Sequence, residues 1–226
     1  MSSQVIKRFT AWSFSRWKAW ATCPLKAKLN HLDKILEPPN KAMTRGSDIH
    51  KQAELLVKAG SGKIPDALKL FEKDFKKLCK TADVKTEEQW AFDKNWAPTG
   101  WFDRDCWCRM VVDAYYIVEL KNGIRRAVII DYKTGRMREE NNPQLGLYAL
   151  GAFRKFGCTE AVCEFWYLDQ GEKVSIKFKA DEEANIIEAW QDRVLPMLAD
   201  TIFPPRPNPL CKWCFYSKTK NGNCQF

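Results

Sequence analysis

The feature that most constrains this chain is a pair of strand-like runs, Cys108 to Val118 and Arg125 to Tyr132, joined across Asn122-Gly123. Asn-Gly between two such runs is a strong hairpin signal. Ala127-Val128-Ile129-Ile130 is continuously apolar, as in a strand covered on both faces. Register follows from parity. A two-residue turn pairs Lys121 with Ile124 and sets Asp113 opposite Tyr132. A three-residue turn, Lys121-Asn122-Gly123 with Gly123 left-handed, pairs Leu120 with Ile124 and sets Asp113 opposite Asp131. We expect the second form, with Asp113, Asp131 and Lys133 on one face, because side chains alternate along a strand.

Two carboxylates directly opposite one another stand about 4.5–5.5 Å apart at Cβ and repel. A divalent cation between them relieves that repulsion, and hard oxygen ligands favour Mg²⁺ or Mn²⁺. A lysine beside them can orient or deprotonate an attacking water, or balance charge developing on a phosphate. The alternative is a solvated hairpin in which Asp131 and Lys133 form a surface pair. The apolar run before Asp131 weighs against it.

Around the hairpin, Ser13 or Ser15 can cap a short helix through Trp17 and Trp20 that ends near Cys23-Pro24. Glu37-Pro38-Pro39-Asn40 is a break. A second helix is expected from about Ser47 to Ala59, stopped by Gly60. A third is expected from Asp66 to Lys80, with Leu68, Phe71, Phe75 and Leu78 at helical spacing. Glu88 to Phe92 reads as a strand. Asn142-Pro143 starts a helix to Phe156, with the asparagine as cap. Strands Ala161 to Leu168 and Lys173 to Lys179 flank the turn Asp169-Gln170-Gly171, and a last helix spans about Asp181 to Ala199. This order implies an α/β core with a mixed sheet. His50 reads from this pattern as a core histidine, and Gln144 and Tyr148 as one face of an amphipathic helix.

The net charge of +9 permits a polyanionic partner. Nothing approaches 18 consecutive apolar residues, and Met1-Ser2-Ser3-Gln4 opens no apolar signal segment, so an intracellular, cytoplasmic protein without a membrane span is expected. With ten tryptophans, some could be base-stacking platforms, but most are expected in the core or in groove walls. Gly60-Ser61-Gly62-Lys63 is not a phosphate loop, since Val57 stands where the first glycine is required. Two histidines are too few for a histidine-rich zinc hydrolase, and no G-x-S-x-G element is present.

Nine cysteines, an odd number, argue against a disulfide framework. Cys211 and Cys214 have C-x-x-C spacing, Cys224 follows, and Cys23 lies far upstream. Four thiolates can hold a [4Fe–4S] cluster or a tetrahedral Zn²⁺, and no metal is the third option. The prolines of Phe203 to Leu210 read as a stiff tether that returns the tail to the first helix. Cys79, Cys106, Cys108, Cys158 and Cys163 read as small core residues. The expected organisation is a core over 1–202, with an N-terminal helical part, and a tether and cysteine tail over 203–226.

Asp113 followed by Asp131-Tyr132-Lys133 resembles the D…(D/E)-x-K core of the PD-(D/E)XK nucleases. Arg45-Gly46-Ser47-Asp48-Ile49-His50 resembles the R-G-x-x-x-H of their RecB-like branch, and Gln144 to Tyr148 its Q-x-x-x-Y. Ser13-Phe14-Ser15 with Cys23-Pro24 resembles that branch's N-terminal segment. The likeness extends to compact phage RecB-family exonucleases and CRISPR-associated exonucleases. One departure is Arg109, which stands where the family often has glycine. Glu88 and Phe92 sit where the family commonly has an acidic residue and an aromatic.

The resemblance implies a restriction-endonuclease-like fold: a mixed sheet flanked by helices, with an N-terminal helical segment and a cysteine-bearing tail. It implies a Mg²⁺- or Mn²⁺-dependent DNA exonuclease of recombination, repair or phage DNA metabolism. Its partner would be single-stranded DNA or a duplex end, and a recombination protein could join it. His50, Asp113, Asp131 and the Tyr132 carbonyl would ligate the metal, and Lys133 would position the attacking water. Gln144 and Tyr148 would contact phosphate or brace the site. Cys23, Cys211, Cys214 and Cys224 would hold a [4Fe–4S] cluster. The rival from another class is a catalytically silent nucleic-acid-binding scaffold module.

Overall fold

The computed structural model describes residues 7–137, 142–220 and 222–226, so the expected core before Lys7 lies outside the described residues. The chain forms two compact units, one of residues up to Pro38 together with Ala189–Phe226, the other Pro39–Glu188.

The larger unit carries the sheet. Helix α3 (Lys41–Ala59) begins six residues before its expected start, because Asn40 rather than Ser47 caps it: Asn40 Oδ1 accepts from Met43 N at 3.0 Å. Gly60 ends it in the left-handed conformation, φ 69°. The expected third helix is split, with a 3₁₀ turn over Asp66–Phe71 leading into α4 (Glu72–Lys80). Strands β1 (Lys85–Phe92), β2 (Cys108–Glu119) and β3 (Arg125–Lys133) follow. Then come α5 (Pro143–Phe156), β4 (Glu160–Tyr167), β5 (Glu172–Lys179) and the start of α6 (Glu183–Ala199). Pro143 opens α5 as expected, but Asn142 makes no side-chain cap.

The five strands lie in sequence order, antiparallel except for β3 and β4. That parallel pair needs a crossover, which α5 supplies. The sheet is therefore mixed and flanked by helices, a restriction-endonuclease-like α/β arrangement. The β2–β3 register is the three-residue one. Leu120 N donates to Ile124 O at 2.9 Å, Gly123 has φ 75°, and the rungs run from Glu119↔Arg125 to Ala114↔Ile130.

Helices α3 and α4 cover one face, burying Ile49, Ala53, Leu56, Phe75 and Leu78 with Ile130, Tyr132 and Trp166. Helix α5 covers the other face, with Leu145, Leu147 and Leu150 fully buried. Its close approach requires Gly151: a Cβ there would stand 2.9 Å from both Met110 Sδ and Trp90 Cε3.

In the smaller unit, α1 (Phe14–Thr22) is capped by Ser13, whose Oγ accepts from Arg16 N. The short α2 (Pro24–Ala27) and a π-helical turn, Lys28–Leu32, follow. Trp12 stacks on Trp190 at 5.2 Å, and Trp17 meets that ring edge-on. The tail from residue 203 lies in this unit: Asn208 Nδ2 donates to Thr22 O, and Tyr216 Oη to Ile35 O at 2.6 Å. Among the described residues no helix is long and apolar enough to cross a membrane.

Gly151→Ala is expected to lower unfolding free energy by about 1–3 kcal/mol through overpacking. Chemical denaturation checks it, with Gly123→Ala as a comparison at an open turn.

Candidate active site

The rung at Asp113 is where the ladder opens. β1–β2 pairing passes from Thr86↔Ala114 to Glu88↔Val112 and leaves Glu87 and Asp113 without a rung. β2–β3 pairing stops at Ala114↔Ile130. Glu87 takes φ 52°, a left-handed conformation that costs a non-glycine residue about 1–3 kcal/mol. The freed Tyr132 N–H then donates to Asp113 Oδ2 at 2.6 Å, so a side chain replaces a main-chain acceptor.

The other Asp113 oxygen lies 3.4 Å from His50 Nδ1, brought in by α3. His50, Glu87 and Asp113 offer ligand atoms that all lie within 4.8 Å of one another, alone in doing so among the described residues. Burial pulls the His50 pKa down, but Asp113, Asp131 and Glu87 outweigh it and raise it. Burial and the charge of Asp113 raise the Glu87 pKa.

Asp131 is 5% exposed. Its Oδ1 accepts from Tyr148 Oη at 2.7 Å and from Gln144 Nε2 at 3.3 Å. Its Oδ2 lies 2.5 Å from Lys133 Nζ but receives no hydrogen bond of proper geometry, so the contact is a charge pair. Burial chiefly, and then the charge of Asp113, raise the Asp131 pKa against the pull of Lys133. Burial, with Asp131 adding to it, pushes the Tyr148 phenol well up. Lys133 Nζ also donates to Gln144 Oε1 at 3.0 Å and sits 4.6 Å from the centre of the Phe165 ring. Gln144 in turn donates to Tyr148 Oη at 2.8 Å.

The structure therefore brings together His50, Asp113, Asp131, Tyr132, Lys133, Gln144 and Tyr148. The common-face expectation holds in part. Lys133 shares the side of Asp131, whereas Asp113 turns into the splay beside Tyr132 N and toward α3. Glu88 is not in the cluster: it accepts a hydrogen bond from Tyr115 Oη and lies 3.8 Å from Lys155. Its neighbour Glu87 takes the place instead, because the left-handed turn of the backbone sends the two side chains different ways. Strand alternation assumes regular φ and could not signal this. Arg45 and Gly46 brace α3 from outside the cluster. Arg45 forms a two-pronged pair with Asp169, and a Cβ at Gly46 would stand 3.3 Å from Thr134 Oγ1. Arg109 stacks over Trp101 and donates to Cys106 Sγ, so its bulk is carried away from the strand.

A model of the PD-(D/E)XK nuclease superfamily matches residues 11–219. The chain belongs to this superfamily. It is thus a nuclease, a hydrolase of a class that uses divalent metals. No curated protein matches the chain. A solved chain described as "Crystal structure of SSO0001" is similar at 17% identity and TM-score 0.48, over 94% of this chain and 86% of that one. For this superfamily the imidazole and carboxylate donors fit a divalent cation. Asp131 Oδ2, which meets only the Lys133 ammonium, adds an anionic oxygen of the kind such a cation takes.

In the smaller unit, Cys23, Cys211, Cys214 and Cys224 line one cavity. Cys23 Sγ accepts from Arg206 N at 3.4 Å and Cys211 Sγ from Asn208 N at 3.3 Å. Of the five cysteines expected as packing residues, Cys106, Cys108, Cys158 and Cys163 are buried and Cys79 is half-buried.

Glu87→Gly is expected to leave the metal-free protein at least as stable, since glycine relieves the left-handed residue, and to show a smaller rise in melting temperature on adding Mn²⁺ than the rise expected of the parent. Thermal melts with and without Mn²⁺ check both halves.

Proposed function

We propose that this protein is a Mg²⁺- or Mn²⁺-dependent deoxyribonuclease of the RecB-like branch, acting as an exonuclease in recombination, repair or phage DNA metabolism in the cytoplasm. The observation that carries the reading is the buried Asp131 held between Tyr148, Gln144 and Lys133, one strand away from Asp113 and its His50 and Glu87 neighbours. The RecB-like and exonuclease parts rest on Arg45-Gly46…His50 and Gln144…Tyr148, of which His50, Gln144 and Tyr148 reach this one region.

In this reading Asp113, Asp131, His50 and the Tyr132 carbonyl hold the cation, and Glu87 adds a carboxylate. The cation supplies Lewis-acid polarisation of the scissile phosphate and offsets the charge that develops on its oxygens. Lys133 has three N–H donors and no acceptor, so it orients the attacking water and stabilises negative charge at phosphorus. The water oxygen bonds to phosphorus as the ester P–O bond breaks, and the water proton ends on the departing sugar oxygen. Gln144 holds the lysine in place through its Oε1. Tyr148 fixes the orientation of Asp131, and both act as positioning residues.

We assign Cys23, Cys211, Cys214 and Cys224 to a [4Fe–4S] cluster rather than zinc. Support comes from the four lining one cavity and from the two N–H···S contacts, which suit electron-rich cluster sulfurs. The cluster would clasp the tail to α1 and α2 within their unit.

Asp113→Ala, Asp131→Ala and Lys133→Ala are each expected to abolish metal-dependent DNA degradation while leaving the circular dichroism spectrum unchanged. Glu88→Gln should retain activity. Full activity in Lys133→Ala refutes the assignment, and binding without cleavage under either metal favours the scaffold module. Anaerobic purification should give a brown protein with about four irons per chain. Loss of the colour in Cys214→Ser checks the ligand, and a colourless protein without iron rejects the cluster.

A further inference from the structure

After Asp200 the chain carries four cations, Arg206, Lys212, Lys218 and Lys220, and no acidic residue. Of the ten tryptophans, six are buried and three half-buried; Trp213 alone is exposed, at 60%. It lies inside the C-x-x-C turn, at the end of the 3₁₀ segment Pro209–Trp213. Lys212 Nζ stands 3.9 Å from the centre of the Trp213 ring, and Lys220 Nζ donates to the Trp213 carbonyl at 3.0 Å. Lys220 comes from a second 3₁₀ turn, Lys218–Lys220, so two turns converge on one residue. The turns are built: Asn208 Oδ1 caps Leu210 N at 2.9 Å, and Tyr216 is buried beneath them with its hydroxyl on Ile35 O.

An indole that folding leaves in water, with one ammonium over its ring, another on its own carbonyl and no acidic side chain in the segment, matches one chemistry. Its flat apolar face suits an unpaired nucleobase, and the lysines suit the phosphates on either side of that base. A protein partner with an acidic surface would use the lysines but would not need the ring. A duplex would present phosphates but keep its bases stacked away.

We propose that Trp213, with Lys212 and Lys220, is a docking platform for single-stranded DNA on the cysteine tail, separate from the residues that carry the hydrolysis. The proposal rests on the nuclease reading only for the identity of the sugar. Trp213 stacks on one base, Lys220 and Lys212 hold adjacent phosphates, and Lys218 adds to the local positive field.

The test uses the full-length, metal-replete protein in an Asp131→Asn background, which silences cleavage without a chelator that could strip the cysteine site. Fluorescence anisotropy of a labelled oligonucleotide and of the matching blunt duplex is read for the parent, Trp213→Ala, Trp213→Phe and Lys212→Gln/Lys220→Gln. Trp213→Ala should weaken single-strand binding by about ten-fold and duplex binding much less, because base stacking is lost. Trp213→Phe should restore most of it. The double lysine variant should lower the salt slope of log K by about 1.4, at about 0.7 per phosphate contact. Equal affinity of Trp213→Ala and parent overturns the proposal. So does an equal loss on single strand and duplex, or a loss that phenylalanine does not restore. Failure of the nuclease reading is scored separately: the Asp131-containing protein would then bind single strands through Trp213 without degrading them under Mg²⁺ or Mn²⁺.

Discussion

The site depends on one hydrogen bond, from the Tyr132 amide to the Asp113 carboxylate. A β-sheet normally satisfies its amides with neighbouring carbonyls. Here the ladder stops on both sides of Asp113, and the aspartate side chain takes over as acceptor. One carboxylate oxygen is thereby used to hold the strands. The other faces His50 and Glu87 and remains available to a cation. Close to the opening, Glu87 can adopt its left-handed backbone and reach the same spot.

Asp131 answers a different demand. It is almost completely buried, which disfavours its charged form. Lys133, Tyr148 and Gln144 offset that cost, each from a position dictated by the secondary structure. Lys133 lies two residues along the same strand face, and Gln144 and Tyr148 lie one turn apart on α5. Since Gln144 touches Lys133, Tyr148 and Asp131, a shift of α5 would disturb all three. That makes Gly151, which sets how closely α5 packs on β1 and β2, part of the support for the site.

Much of this was legible in the sequence because it follows from short-range geometry. The hairpin register follows from parity and a left-handed Gly123. The helix spacing of Gln144 and Tyr148 follows from 3.6 residues per turn. Misread elements have equally specific causes. Asn40 is a better-placed cap than Ser47, so α3 starts earlier. The segment from Asp66 keeps its apolar spacing but opens as 3₁₀, which periodicity alone does not distinguish. Glu87 was invisible because strand alternation assumes regular dihedrals, and the break at Asp113 violates them.

By itself the sequence determined the sheet and helix order, the turn, the Asp113, Asp131 and Lys133 set and the four spaced cysteines. Residue pattern and local dihedral preference suffice for these. Only the tertiary structure decided that Asp113 plugs a gap between strands, and that Glu87 rather than Glu88 joins His50. Only it showed that the four cysteines surround one cavity while Trp213 is left in solvent. Each of these depends on how distant segments pack and on which backbone groups lose their partners, and no local spacing encodes that.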